Sequence, residues 1–191
     1  MTFPWPAHTR IETARLLLRP PLREDFDSYV DLIGDEQVAR FIGGVQARAT
    51  AWRSFMTMAG AWHLEGFAMF CVLDKTSGRW LGRAGPWQPE GWPGTEVGWS
   101  LRRDAWGQGF AFEAAVAAID WAFEHLGWDE VIHTIHPDNH GSIRLAERLG
   151  SAHRGPAQLP PPHEAMPVQV WGQSRAQWLA GAAARQVARA R

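Results

Sequence analysis

The stretch DAWGQGFAFEA, residues 104–114, sets glycines at 107 and 109 directly before a run with strong helical character. Glycine takes up left-handed φ values without penalty and leaves its neighbours' N–H groups unshielded by a Cβ. A helix amino terminus carries unpaired N–H groups and a partial positive charge, so this combination suits an anion, above all a phosphate. Arg102 and Arg103, just upstream, could add charge-assisted contacts. A turn that needs glycine only for its shape has the same pattern. The preceding strand, the arginines, the small Ala111 and the strength of the helix favour the anion reading. Two histidines, His133 and His136, titrate in a useful range. Three residues apart on one expected strand, they face opposite sides of a sheet, so at most one reaches a site. Neither has an acidic or cysteine partner at metal-ligand spacing.

Two phosphate-binding designs can be compared with this turn. A P-loop requires a Gly-Lys pair, and the chain has none; Gln108 stands where a lysine would be needed. A dinucleotide fold wants a third glycine where Phe112 stands, a position with no room for a ring. Glu130 does lie about 20 residues on, the right distance for a ribose contact, which keeps a nucleotide-dependent oxidoreductase among the alternatives.

The elements that must position these residues follow from periodicity and punctuation. Residues 15–20 read as a short strand, 22–41 as a helix broken near Gly34, and 47–64 as a second helix. Residues 66–74 and 79–87 read as a hairpin, and 95–101 as the strand feeding the glycine turn. Phe112, Ala115, Val116, Ile119, Phe123 and Leu126 draw one apolar stripe, predicting a helix over 112–126 that ends at Gly127. Residues 130–136 form a strand, SIRLAERLG a helix closed by Gly150, and 167–172 a late strand. Ser174 and Gln177 form a capping box for a final helix rich in Ala and Arg. The proline-dense residues 155–167 read as a loop inside one domain. With no repeat and no linker, the expectation is one α/β domain over residues 1–191.

WGQGFA, residues 106–111, resembles the Q/R-x-x-G-x-G/A motif of the GNAT family of N-acetyltransferases, with Trp106 in place of the Gln or Arg. That departure, the run EVGWSLRRDAWGQGFAFEA, the opening TARLLLRPPLREDFDSY, the segment PDNHGSIRLAERLGSA and the closing VQVWGQSRAQW resemble the family's ribosomal-protein N-terminal acetyltransferase-like branch. These blocks cover about residues 13–178. The resemblance implies an α+β GNAT fold, a central mixed, mostly antiparallel twisted sheet flanked by helices. It implies acetyl-CoA as co-substrate, no metal, and direct transfer to an amine in a ternary complex. The pyrophosphate would rest on the N–H groups of Gly107, Gln108, Gly109, Phe110 and Ala111. The pantetheine arm would pair with the strand edge at Trp99, Ser100 and Leu101, and Asn139 would bond it. Ser142 matches the serine that is the candidate partner of the thiol sulfur, although either Asn139 or Ser142 could simply cap the helix that follows. Many relatives protonate the leaving thiolate from a tyrosine; here Tyr29 is the only one and lies in the first helix, so that donor is missing. Glu96, in the strand beside the cofactor site, could take the amine proton through water; a glutamate there is more often solvated.

Composition narrows the rest. A net charge of −1 with scattered cations argues against a broad nucleic-acid-binding surface. Cys71, the one cysteine, sits in the apolar run GFAMFCVL and reads as a small core residue. Its solitude fits a reducing cytoplasm, no run approaches the ~20 apolar residues of a membrane span, and MTFPWPAHTR lacks the pattern of a signal peptide. Of the twelve tryptophans, Trp52 and Trp62 read as core or groove residues of the second helix, and Trp87 and Trp92 flank a loop that often borders the acceptor pocket in the family. The expected acceptor is a protein N-terminus or a small amine; many relatives form homodimers. A catalytically silent acyl-CoA-binding module is the alternative.

Overall fold

The computed structural model describes residues 9–182. The first eight residues of the amino-terminal segment, and the last nine of the Ala/Arg-rich tail, lie outside that description. The chain runs β1 (Ile11–Glu12), β2 (Leu16–Arg19), α1 (Phe26–Gly34), α2 (Glu36–Ala39), α3 (Arg48–Leu64), β3 (Phe70–Asp74), β4 (Trp80–Trp87), β5 (Glu96–Leu101), α4 (Phe110–Trp121), β6 (Glu130–Ile135), α5 (His140–Leu149), β7 (Ala152–Ala157), β8 (Val168–Ser174) and α6 (Arg175–Ala180). Single turns of 3₁₀ helix precede α1 and fill Arg103–Ala105, and a π turn, Ala122–Leu126, extends α4.

Among the described residues, eight strands form one sheet in the order β1-β2-β3-β4-β5-β6-β8-β7. Every neighbouring pair is antiparallel except β5 and β6. This is the mixed, mostly antiparallel sheet flanked by helices that the sequence predicts. The break expected near Gly34 falls at Asp35, whose side chain accepts from the N–H groups of Gln37 and Val38 and starts α2. Ser174 and Gln177 form the reciprocal cap of α6. Three boundaries differ. The strand expected from residue 66 begins at Phe70, α4 begins at Phe110, and the segment read as loop from 155 opens inside β7.

Two apolar clusters hold the helices to the sheet. One joins Leu16, Leu18, Phe70 and Leu81 of the strands to Tyr29, Phe55 and Trp62 of α1 and α3. The other joins Val97 and Val131 to Ile119, Phe123 and Trp178. Each such side chain, fully buried, contributes about 1.5–3 kcal/mol. Cys71 is fully buried in the first cluster, and burial pushes its thiol pKa up, which fits an inert core residue. No helix among the described residues is long and apolar enough to cross a membrane.

Candidate active site

The glycine turn takes the backbone shape its residues suggest. Gly107 has φ 71° and Gly109 φ 78°, both left-handed, and Gly109 is the N-cap of α4 with no side chain capping the first turn. A Cβ at Gly107 would meet open space and one at Gly109 only Arg15 at 3.4 Å, so conformation rather than crowding calls for glycine here. The turn is lashed to the start of the sheet. Arg15 Nη1 donates to the Gln108 carbonyl at 2.9 Å, its Nε donates to Glu113 at 2.7 Å, and its guanidinium lies 4.5 Å from the centre of the Phe110 ring. Thr13 Oγ1 and the Arg15 N–H also donate to Glu113. Burial opposes ionisation of Glu113, but these hydrogen bonds hold its carboxyl below the usual range. Arg102 and Arg103 are engaged by carboxylates: Asp31 at 3.7 Å and Asp104 at 3.5 Å for the first, Asp35 at 3.3 Å for the second.

Beside the turn, the sheet opens. β5 and β6 are paired only at Glu96 and Ile132. The Ile132 N–H reaches the Thr95 carbonyl, and the next β6-facing carbonyl, that of Val97, accepts instead from the His133 ring at 2.7 Å. Because peptide groups alternate along a strand, those of Thr95, Val97, Trp99 and Leu101 face the opening, while Ser100's join the ladder to β4. The free edge therefore consists of Trp99 and Leu101 backbone, and the Leu101 carbonyl already accepts from the Trp106 indole at 2.8 Å. Ser100 instead turns its side chain to the far face, with Glu96 and Gly98.

His133 keeps the strands apart. A carbonyl can only accept, so Nδ1 carries the ring proton and Nε2 accepts from Ser151 Oγ at 3.0 Å; Ser151 Oγ in turn accepts from Gln173. Burial lowers the His133 pKa to about 4, leaving a neutral ring with both nitrogens occupied. It is not placed to act as a base. The Trp99 ring packs against it at 4.8 Å and donates its indole N–H to Ser142 Oγ at 3.2 Å. With that oxygen accepting, the Ser142 hydroxyl proton is free to point elsewhere. The carboxamide oxygen of Asn139 caps α5 through the Ser142 N–H at 3.2 Å, and both residues line a cavity beside the opening. His136 follows β6 and packs against Phe41, and both histidines line this one cavity, against the expectation that at most one would reach a site.

The cavity, of about 560 Å³, takes in this opening, with Trp99, Asn139 and Ser142 in its wall together with Glu96. Glu96 is only 6% exposed, in contrast to the solvated glutamate the sequence suggests. Desolvation raises its pKa to about 7 in spite of hydrogen bonds from Thr134 Oγ1 at 2.7 Å and the Trp92 indole at 2.5 Å. A buried carboxyl with a proton affinity near neutrality can take and release a proton at working pH. Trp87 and Trp92 line the cavity, as do Tyr29 and Arg83, which sequence reasoning missed. Glu130, half-exposed at the start of β6, is paired with Arg154.

Comparison with known proteins agrees with this geometry. A family model described as an acetyltransferase (GNAT) domain matches residues 15–152. The uncharacterized protein YkkB of Bacillus subtilis (strain 168) is 30% identical over 151 residues, covering 75% of this chain and 86% of that one. The uncharacterized N-acetyltransferase p20 of Bacillus licheniformis is 30% identical over 146 residues, covering 75% and 82%. Among solved structures, an acetyltransferase from Agrobacterium tumefaciens str. C58 superposes with a TM-score of 0.78 at 29% identity, over 92% of this chain and 98% of that one. The protein is an acetyltransferase, an enzyme of a family that uses acetyl-CoA as co-substrate, and it belongs to the GNAT family.

Proposed function

We propose that the protein moves the acetyl group of acetyl-CoA to a primary amine by direct attack in a ternary complex, within the ribosomal-protein N-terminal acetyltransferase-like branch of the family. The observation that carries this is the position of Glu96. It is the last β5 residue paired with β6 before the strands part, so its carboxyl stands at the apex of the opening and faces the cavity. In this reading the pyrophosphate of acetyl-CoA rests on the N–H groups of the turn from Gly107 to Ala111. The pantetheine lies along the Trp99 and Leu101 edge, within reach of Asn139.

The amine enters from the cavity and must be neutral to attack. Its proton passes to Glu96, directly or through one water, as nitrogen forms its bond to the carbonyl carbon and the carbon–sulfur bond breaks. Ser142 donates its free hydroxyl hydrogen bond to the sulfur as charge gathers there. The Trp99 indole fixes the serine's direction. Arg102 and Arg103, held by carboxylates, shape the turn and are secondary as phosphate ligands.

The test is release of CoA thiol from acetyl-CoA over a panel of primary amines, small and peptidyl. Glu96→Gln is expected to lower kcat/KM by roughly 10²- to 10⁴-fold while acetyl-CoA binding persists. Unchanged turnover in that variant would remove Glu96 from the reaction.

A further inference from the structure

The far end of the cavity from Glu96 holds a cation with no counterion among the described residues. Arg83, in the middle of β4, faces the same side of the sheet as Glu96, because Arg83 pairs with Ser100 and Trp87 with Glu96 in register. The two positions are thus four residues apart along the ladder, about 13 Å. The Arg83 guanidinium lies over the Tyr29 ring at 5.4 Å, and one donor reaches the Tyr29 hydroxyl at 3.4 Å. That hydroxyl donates onward to Ser54 Oγ of α3. Among the described residues no carboxylate lies within ion-pair distance of Arg83, and its Nε is buried with no hydrogen-bond partner. The other arginines of the pyrophosphate turn and sheet edge, Arg15, Arg19, Arg102, Arg103 and Arg154, all have acidic partners. A guanidinium is always charged, and one partly removed from water is costly until an anion completes it.

Loops also border the cavity, which stays partly open to solvent. The segment around Pro160 and His163 lines it and is gripped from both sides. A Cβ at Gly43 would come within 3.2 Å of the His163 ring, and one at Gly91 within 3.4 Å of Pro160. Three loops distant in sequence therefore meet over a space whose ends carry a carboxyl and a guanidinium.

We infer that Arg83 binds a carboxylate on the acceptor, and that the acceptor is a small amino carboxylate whose amine lies at Glu96 and whose acid group lies at Arg83. This rests on the transferase reading of the same site. The Arg83 guanidinium offers a carboxylate a bidentate fork with the hydroxyls of Tyr29 and Ser54 beside it, and Arg53, which also lines the cavity, adds to its positive charge. Arg83 is a specificity-determining residue here, remote from the reacting atoms.

The experiment uses a chain-length series of ω-amino carboxylates with their amides and phosphonates, tested against acetyl-CoA with wild type, Arg83→Gln and Arg83→Lys. The wild type should prefer a carboxylate over its amide by roughly 10- to 100-fold in kcat/KM, mostly through KM. Arg83→Gln should erase that preference while leaving turnover of the amide and stabilisation by acetyl-CoA as they were, and Arg83→Lys should restore part of it. Equal use of carboxylate and amide by the wild type, a preference that survives in Arg83→Gln, or a preference for the phosphonate would overturn the assignment. If no amine at all is turned over, the transferase reading fails and binding decides the matter. A larger thermal shift from the amino carboxylate than from its amide, lost in Arg83→Gln, supports the anion site, and equal shifts overturn it.

Discussion

Glu96 and His133 sit on adjacent strands and meet burial with opposite results. Both are deeply buried, and desolvation disfavours the charged form of each, raising the acid to about 7 and lowering the base to about 4. Burial thus leaves one able to exchange a proton near neutrality and keeps the other neutral. Thr134 and Trp92 partly offset the burial of Glu96 by donating to its carboxylate. Thr134→Val should therefore raise the Glu96 pKa further and move the rising limb of the pH–rate profile to higher pH, visible in kcat/KM measured across neutrality. If the Ser142 hydroxyl acts on the leaving sulfur as proposed, Ser142→Ala should lower kcat by about 10-fold or more with little change in the stabilisation given by acetyl-CoA. An equal loss of cofactor binding would make Ser142 a binding residue only. Ser142 is identified by its family motif. The burial of Glu96 was not legible, because the residue that covers it, Trp92, belongs to a loop whose path no local pattern fixes.

At the scale of elements, the glycine turn was the most legible feature because everything it needs is contiguous: strand, two left-handed glycines and an uncapped helix. What holds it was invisible. Arg15 reaches Gln108 and Glu113 across nearly a hundred residues of sequence. Gly109→Glu should abolish the stabilisation by acetyl-CoA, which at a hundred times the dissociation constant is about 2.7 kcal/mol. Arg15→Ala should reduce it while leaving the fold intact, as thermal unfolding with and without ligand would show. β7 escaped notice because AHRGPA has neither alternation nor β-branched residues. Pro156 is tolerated there since β7 is the edge of the sheet, where a missing N–H breaks no ladder on the open side. Arg83 shows the same limit from the side of function: only the fold reveals that Tyr29 and Ser54 flank it.

For the molecule as a whole, the two buried titrations oppose each other. The folded protein holds the Glu96 proton from about 4.5 to about 7, where the unfolded chain has released it, so this group lowers stability as pH rises through that window. His133 works the other way: between about 6.5 and about 4 the unfolded chain takes up a proton that the folded one refuses, so stability is lost as pH falls. Where the windows overlap, the slopes cancel. Glu96→Gln should expose the His133 slope, giving a protein whose unfolding midpoint rises between pH 4 and 6.5 more steeply than that of the wild type. Identical profiles would show that Glu96 is not perturbed. The central claim, that this buried carboxyl at the parting of β5 and β6 is the base of an amine acetylation, is tested most directly by the pH dependence of thiol release with a single accepted amine. The expected result is a limb that rises through about pH 7 in the wild type and is absent from Glu96→Gln at every pH. The same limb, undiminished in the variant, would contradict it.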